Sequence, residues 1–186
     1  MNSASDRQQE FERLAMPLLD PLYNFARWLT HDQTEAEDVV QETFAKALRG
    51  FDSFVPGTDF RAWMFRILRN TFLTSRTGLQ AKLTVPIDFE DEASSGITWD
   101  TPETLAIASA TRDALQTALA ELPIAYREVV LLCDVEEMKY QEIAEVLSLP
   151  IGTVMSRLAR GRKLLRQRLA AKHALFAAQA KMGEGK

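Results

Sequence analysis

The sequence predicts an all-α protein made of two small helical domains joined by a flexible acidic linker. Three observations lead to this prediction. Apolar residues recur at helical spacing in two separate blocks. Between the blocks lies a stretch with prolines, glycine and acids but no such period. The chain has 186 residues, which is enough for one or two small domains. We place the two domains at residues 11–77 and 107–172, with the linker at 78–106.

The composition limits the classes of function. The net charge is −4, so the whole chain is not a generic polyanion binder, and any basic patch must be balanced by acids elsewhere. Cys133 is the single cysteine, which excludes an internal disulfide and a cysteine-built zinc site, and its apolar surroundings predict a small buried hydrophobe. We find no apolar signal region and no stretch long enough to span a bilayer, so we expect a cytoplasmic protein without membrane insertion.

The first block opens with residues 11–29, in which apolar and aromatic side chains recur at helical intervals. Pro17 and Pro21 interrupt this pattern. Because proline lacks an N–H and fixes φ, they should bend the helix or split it into two pieces. A structural core is the predicted role of this segment.

A second helix is predicted from Thr34, which with Glu37 has the form of a capping box, to Arg49, with Gly50 as its stop. One face of this helix is apolar and should point inward: Ala36, Val40, Phe44, Ala47 and Leu48. The opposite face is polar: Asp38, Gln41, Glu42, Ala45 and Arg49. A polar face of this kind is more often simply solvated than functional.

Residues 51–58 form a predicted loop, in which two aromatics that look exposed, a proline and a glycine suit a segment of fixed shape. A helix over residues 60–76 follows. Its buried side comprises Phe60, Met64, Ile67, Leu68 and Thr71. The arginines and the asparagine Arg66, Arg69 and Asn70 should point away, with Arg61, Trp63, Phe65 and Arg76 on the flanks.

Arginines interleaved with aromatics are typical of single-stranded DNA binding. Cations follow the backbone, and flat rings stack on unpaired bases at about 1–3 kcal/mol per base. The alternative is that the aromatics belong to the core and the arginines to the solvated surface. For Trp63 and Phe72, the sequence taken alone favours that alternative.

The stretch Gly78–Pro102 is acidic, and no lysine or arginine falls between Lys82 and Arg112. This composition is typical of a tether between two helical domains, and its acids supply much of the negative charge that balances the basic patch. An acidic tether would avoid DNA and could lie in a basic channel of a partner. A mere flexible spacer is an equally good interpretation.

The second block begins with predicted helices over residues 105–122 and 126–137, which should support the segment that follows. Tyr140, Ile143, Ala144 and Leu147 then repeat at helical spacing and predict one buried stripe. Ser148–Pro150 breaks the pattern, and Pro150 suits the first turn of a new helix. Along that helix the apolar or small residues of the inner face are Val154, Leu158, Gly161 and Leu165. Two short helices joined by a tight turn predict a helix-turn-helix whose second helix is the recognition helix.

The charges of this second helix are typical of a phosphate-binding surface. No acidic residue falls between Val146 and Gly183, whereas cations crowd one segment. These cations are Arg157, Arg160, Arg162, Lys163, Arg166, Arg168 and Lys172. A basic run alone would fit a solvated helix equally well, but its place in a helix-turn-helix favours nucleic acid.

Together these blocks resemble a bacterial RNA polymerase sigma factor of the extracytoplasmic-function type, a group of the sigma-70 family. The resemblance covers residues 11–77 and 112–170. In the first block, Glu37–Phe44 (EDVVQETF) and Phe60–Thr71 (FRAWMFRILRNT) are similar to the family's polymerase-binding and promoter-melting helices. In the second, Leu122–Pro123, Tyr140–Ala144 (YQEIA) and Gly152–Arg157 (GTVMSR) are similar to its −35 domain, so that the two domains would be sigma regions 2 and 4.

The resemblance implies partners and roles for the exposed faces. Asp38, Gln41 and Glu42 would pair with basic residues on the clamp helices of the polymerase β′ subunit, and the β flap would be a further contact. The −10 element would be held as single-stranded DNA, with a flipped base in a pocket of the 51–58 loop. The residues implied in −10 binding are Phe54, Arg61, Trp63, Arg66, Arg69 and Asn70. An anti-sigma factor would control the protein. The linker would extend toward the active-site and RNA-exit channel of the polymerase.

The helix Gly152–Arg168 would enter the major groove of duplex DNA at −35. Ser156 and Arg160 would read bases there, since arginine can bond guanine at two points. Arg157, Arg162 and Lys163 would hold phosphates and set the register, beside Thr153 on the same helix. Relatives often carry arginine in place of Met155 and an aromatic in place of Ala159, so the −35 sequence cannot be copied from a relative.

The sequence leaves three classes of function open. The first is a promoter-specificity subunit without catalysis of its own. The second is a free-standing DNA-binding regulator, which needs no exposed acidic face at Asp38, Gln41 and Glu42. The third is an enzyme, which the sequence disfavours: His31 and His173 lie in different blocks and in no metal or triad spacing. We find no phosphate-binding glycine loop and expect no cofactor.

Overall fold

The structure, a computed structural model, describes residues 4–75 and 108–183, with side chains described over 6–75 and 114–171. Within these ranges the regular elements are helices, which confirms the all-α prediction. The predicted linker, the start of the 105–122 helix and His173 fall outside the residues or side chains described. In chain order, the longer helices are α1 (Ala4–Ala15), α2 (Leu19–Thr30), α3 (Gln33–Gly50), α4 (Phe60–Ser75), α5 (Ala108–Ala120), α6 (Ile124–Val130), α7 (Tyr140–Leu147) and α8 (Ile151–Gly183).

The break between α1 and α2 follows from proline, as predicted. Pro17 lies in a short 3-10 turn, Met16–Leu18, that separates the two helices, and Pro21 sits within the first turn of α2, where a missing N–H costs little. Helix α2 ends at His31, whose φ of 60° lies in the left-handed region and turns the chain toward α3.

The predicted capping box at Thr34 is wrong. Helix α3 begins at Gln33, one residue before Thr34, because the Asp32 side chain accepts a hydrogen bond from the Glu35 N–H at 2.8 Å. Asp32 is therefore the N-cap, and Asp at this position is as good a cap as Thr or better. Gly50 closes α3 as expected, and the chain continues into a single 3-10 turn at Phe51–Ser53.

The first domain packs α2 against α3 and both against α4 around one apolar core. The apolar side chains of α2, α3 and α4 with 2% or less of their surface exposed are Leu22, Phe25, Ala26, Leu29, Ala36, Ala47, Met64, Phe65, Leu68 and Phe72. Phe72 is thus core, as the sequence favoured. Leu48, expected on the inner face of α3, is exposed at its edge.

The second domain is built around α6, which is buried on nearly all sides. Arg127 of this helix donates to the carbonyls of Leu119 at 2.9 Å and Leu122 at 2.8 Å. It thereby satisfies backbone acceptors at the C-terminal end of α5 and in the turn after it, which would otherwise be buried without donors. Burial lowers the pKa of this guanidinium.

After α6 the chain forms a π-type turn, Leu131–Val135, in which the Glu136 N–H donates to the Leu131 carbonyl at 3.0 Å.

The helix-turn-helix has the predicted form. Ser148 ends α7 in the left-handed region at φ 53°, and the Pro150 carbonyl accepts the N–H groups of Thr153 and Val154 at the start of α8. Tyr140 is an exception to the predicted buried stripe, since it is the first residue of α7 and is exposed. Half-buried Cys133 lies at the end of the domain core rather than within it.

Helices α6 and α8 cross where Gly161 faces α6 without a side chain. A Cβ at this position would lie 2.8 Å from Val130 Cγ2 and 3.2 Å from the Tyr126 carbonyl oxygen. The carbonyl belongs to a buried helix backbone, so it cannot move aside as a flexible side chain could. Glycine at this position therefore sets how closely the recognition helix approaches its support.

We expect Gly161→Ala to lower the free energy of unfolding by about 1–3 kcal/mol, the usual cost of overpacking, even though alanine favours helix. Gly152→Ala in the first turn of α8 is the matched control, because its Cβ would meet nothing within 4 Å. That control should be neutral or stabilise by up to about 1 kcal/mol. Urea denaturation followed by circular dichroism measures both; equal midpoints for the two variants would contradict this account of the crossing.

Candidate nucleic-acid and polymerase interfaces

The outer face of α3 presents the three predicted polymerase-binding side chains together. Asp38, Gln41 and Glu42 are all exposed, while Val39, Val40 and Thr43 bury the opposite face and fix the helix rotation. Glu42 has Arg49 Nη2 at 3.3 Å and Lys46 Nζ at 3.6 Å. Such exposed ion pairs contribute about 0–1 kcal/mol, so a basic partner surface could replace them at little cost.

An apolar groove runs beside this face, between α1 and α3, and sequence reasoning missed it. Phe11, Ala15, Met16, Phe44 and Leu48 line it. Met16 lines this groove while 57% of its surface remains exposed. The signal was present at Met16–Pro17, where the helical period of residues 11–29 breaks and releases an apolar side chain from the core.

The 51–58 loop is held by aromatic packing. Phe54 lies 5.1 Å from Phe60 and 5.4 Å from Trp63 between ring centroids, and stacks on Phe51 at 6.2 Å. Phe51 and Phe54 are therefore half-buried, not exposed as the sequence suggested. Gly57 supplies the turn at φ 92°. The loop has a defined shape before any ligand is present, which lowers the entropic cost of binding one.

A cavity of about 300 Å³ opens between the C-terminal end of α3 and α4, and Ser53 lines it from the 51–58 loop. Trp63 forms an aromatic wall, and Asn70 supplies both hydrogen-bond donors and acceptors. Both were predicted site residues. The sequence did not indicate the other lining residues, which include Lys46, Gly50, Ser53, Ile67, Thr71 and Thr74. Lys46 reaches across from α3, with Nζ 3.4 Å from Thr71 Oγ1.

The three arginines and one asparagine of α4 that were predicted to bind DNA divide into two pairs. Arg66 is exposed together with Asn70, as expected. Arg69, expected to point away from the core, is only 7% exposed, so that expectation is wrong. Its Nε and Nη2 donate to the Glu128 carboxylate at 2.7 and 3.2 Å. Arg61 donates to Glu136 at 2.6 Å. The second domain packs on this side of α4, which no periodicity within α4 could indicate.

The recognition helix turns Val154, Leu158 and Gly161 inward, as predicted, although Leu165 is only half-buried. On its outer side Met155, Ala159 and Lys163 are exposed at successive turns. The remaining predicted −35 residues, Thr153, Ser156, Arg157, Arg160 and Arg162, are half-buried.

Ser156 and Arg162 form hydrogen bonds within the protein. Ser156 Oγ donates to the Thr153 carbonyl at 3.1 Å. Arg162 grips Asp134 through two nitrogens, one of them Nε at 3.1 Å, and this hydrogen bond raises the pKa of the guanidinium. Burial lowers the pKa of Arg157, although nearby Glu128 opposes the shift. The exposed side chains on the outer side of the helix are thus Met155, Ala159 and Lys163, with half-buried Arg160 beside them.

The helices in residues 4–75 and 108–183 are too short or too polar to span a bilayer. No group of three or more histidine, cysteine or acidic side chains in the described residues is placed to hold a metal ion.

Comparison with known proteins identifies two family regions in this chain. Residues 14–81 match "Sigma-70 region 2" and residues 112–165 match "Sigma-70, region 4". The ECF RNA polymerase sigma factor SigW of Bacillus subtilis is 32% identical over 158 residues, covering 81% of this chain and 83% of that protein. SigE of Mycolicibacterium smegmatis is 37% identical over 171 residues. That match covers 91% of this chain, which spans only 65% of the length of SigE.

Among solved structures, the sigma factor RpoE of Bartonella quintana, in complex with the anti-sigma factor NepR, has the same fold. Its TM-score is 0.66 at 27% sequence identity, and the match covers 87% of this chain and 98% of that one. Both sequence blocks and the helical architecture therefore agree with a single set of relatives.

Proposed function

This chain belongs to the extracytoplasmic-function group of sigma-70 family RNA polymerase sigma factors, and on that premise we propose that it binds core RNA polymerase and directs it to a set of promoters. It would do so without catalysis of its own, in the cytoplasm. The observation that carries the proposal is the order of the two family regions on two helical domains. A free-standing repressor would not require the first of them.

We assign polymerase binding to the outer face of α3. Three polar side chains lie exposed on one side of a helix whose other side buries Val39, Val40 and Thr43, so packing fixes the orientation of the face. Its carboxylates suit a basic coiled coil such as the β′ clamp helices, and the neighbouring apolar groove around Met16 could take an apolar side chain from the same partner. The β flap is proposed as the contact of the second domain.

We assign −10 recognition to the cavity between the C-terminal end of α3 and α4, next to Ser53 of the 51–58 loop. Its volume of about 300 Å³ falls at the lower end of the range in which proteins hold small ligands, roughly 300–1,000 Å³. Trp63 offers a stacking surface and Asn70 offers hydrogen bonds, which together can read one extruded base. Capture of that base would offset part of the stacking energy lost when the duplex opens, so melting would depend on sequence.

We assign −35 recognition to the outer side of α8. Arg160 would contact a base edge and Lys163 a phosphate, with Met155 and Ala159 setting apolar contacts in the groove. Arg162 has a lesser role than the sequence suggested, because Asp134 already neutralises its guanidinium. Arg162 could bind a DNA phosphate only if its guanidinium contacted Asp134 and the phosphate at the same time.

We also propose that an anti-sigma factor controls this protein. Support comes from the sigma factor of Bartonella quintana, which was solved with such a partner and covers most of this chain. The identity of the partner does not follow from that likeness.

The experiment that tests the proposed function is transcription in vitro on a library of genomic promoter fragments. We expect core polymerase to start at a defined set of sites only when the purified chain is added, and those sites to share two sequence elements. Start sites that are the same with and without the chain would contradict the proposal.

A further inference from the structure

The exposed positions in the first turns of the recognition helix carry apolar side chains or none. Helix α8 begins at Ile151, and over residues 151–159 its exposed positions are Ile151, Gly152, Met155 and Ala159. Ile151 and Met155 keep 45% and 53% of their surface in solvent. The N-terminal residues of a recognition helix are the ones that meet base edges in the major groove. The part of α8 that would come nearest to the bases therefore exposes mainly apolar surface.

Met155 has no part in the core of the domain. Val154 and Leu158 fill the core under the helix, with 0% and 2% of their surface exposed, whereas Met155 lies on the outer side. Ile151 and Ala159 precede and follow Met155 by four residues, so the three side chains form one apolar row with a spacing of about 6 Å along the helix axis. Methionine is unbranched and polarizable, so it can adapt its shape to an apolar partner.

Polar side chains close to this apolar row are engaged within the protein. Ser156 Oγ donates to the Thr153 carbonyl at 3.1 Å, and Arg162 is paired with Asp134. Half-buried Arg160 lies further along the helix. The first contact that the helix offers to a base is therefore an apolar one.

The surroundings of the apolar row favour duplex DNA over a protein partner. Arg160, Lys163 and Arg166 follow on the same helix, and no acidic residue falls between Val146 and Gly183. These cations suit the phosphates that border a major groove. Within that groove thymine presents one apolar group, its C5 methyl, whereas the other bases present hydrogen-bonding atoms. An apolar side chain flanked by cations thus matches a methyl group flanked by phosphates.

We propose that Met155 is a specificity-determining residue that recognises the C5 methyl group of a thymine in the −35 element, with Ile151 and Ala159 extending the apolar contact. This inference rests on the proposed function, since it names the base group that the outer side of α8 reads. The three side chains are already exposed in the structure, so the contact needs no rearrangement of the helix.

The first step of the test selects a DNA ligand. Random duplexes of about 20 base pairs are incubated at about 50 mM salt, where phosphate contacts are strong, and the bound fraction is amplified over several rounds. Selection runs in parallel with the full chain alone and with the full chain bound to core polymerase. We expect the selected duplexes to share an element that contains a thymine at a fixed position.

The second step removes the methyl group alone. Deoxyuridine replaces each thymine of the selected element in turn, and it differs from thymidine only in lacking the C5 methyl. At one position this replacement should weaken binding by the wild type about fourfold, the effect of losing one buried methyl-sized group. At that position 5-methylcytosine should bind about fourfold better than cytosine, because it restores the same methyl group on another base. Fluorescence anisotropy of labelled duplexes measures these affinities.

The third step tests whether Met155 reads this methyl group. Met155→Gln keeps the length of the side chain and a similar helix propensity but replaces its apolar end by an amide. This variant should bind the thymine and deoxyuridine duplexes alike, since the methyl then has no apolar partner. Leu115→Gln is the matched control: Leu115 is 37% exposed on α5 of the same domain. This control should keep the full preference for thymine, and circular dichroism verifies that both variants are folded.

Three results would overturn the proposal. The first is equal binding of thymine and deoxyuridine duplexes by the wild type at every position. The second is a methyl preference that persists in folded Met155→Gln, which would place the reading elsewhere on the protein or in the shape of the DNA. The third is a selection that enriches no shared element with or without polymerase, which would favour a protein partner for the apolar row.

The outcome can be separated from that of the proposed function, because the chain alone is also tested on duplex DNA. If the chain never supports initiation but shows a methyl preference that Met155→Gln removes, the proposed function fails and the methyl contact stands. If the chain supports initiation and no thymine methyl affects binding, the methyl contact alone fails.

Discussion

Replacing Glu42 by arginine is expected to weaken binding of core polymerase by about 100-fold, because a like charge set against a basic surface costs several kcal/mol. Glu42 is exposed and its two ion pairs lie within α3, so the fold should not depend on it. Titration of core polymerase onto end-labelled protein measures the affinity. Circular dichroism verifies that the helices are retained.

Glu10→Arg is the control for that charge reversal. Glu10 is exposed on α1, on the side away from the groove that joins α1 to α3. Glu10→Arg makes the same change of two charges but leaves the α3 face intact. The affinity of this variant for core polymerase should therefore stay within about twofold of wild type, as for a charge at the rim of an interface. Equal losses in the two variants would indicate a non-specific charge effect, and unchanged binding by Glu42→Arg would remove the α3 assignment.

Replacing Arg160 by alanine is expected to cost about 1–3 kcal/mol at the −35 element, or roughly 5- to 150-fold in affinity. The loss should fall on one base position, because a base contact is lost and the phosphate contacts remain. Binding of the holoenzyme to duplexes taken from its own start sites, with each −35 position substituted in turn, measures this specificity.

Lys163→Ala provides the contrasting outcome. A phosphate contact carries no base preference, so this variant should weaken binding to all of the duplexes alike and reduce the salt slope by about one. If Arg160→Ala behaved in the same way, Arg160 would be a phosphate contact and another residue on the outer side of α8 would read the base.

Faces within one helix could be predicted from the sequence, because a period of 3.6 residues tells which side chains share a side. The inward face of α8 at Val154, Leu158 and Gly161 follows from that rule, as does the exposure of Asp38 and Glu42. Pro17 likewise divides α1 from α2 for a local reason, the missing N–H. Asp32 was missed as the cap because Thr34 and Glu37 offered a competing pattern two residues later.

Contacts between the domains could not be predicted, because periodicity shows which side chains share a helix face but not which element packs against that face. Arg69 shares a face with exposed Arg66 and Asn70 by spacing alone, yet a whole domain covers it. The one available signal was Glu128, a carboxylate inside the apolar run of α6. A charge placed among buried residues is seldom unpaired, so it implies a cation from elsewhere in the fold.

The proposed function requires this chain to open promoter DNA when it is bound to polymerase. Permanganate footprinting tests this directly, because permanganate oxidises unpaired thymines. At the start sites selected from the library, we predict reactive thymines around −10 only when core polymerase and the chain are both present. Thymines that stay unreactive in the complete mixture, or that react equally with core polymerase alone, would contradict the account.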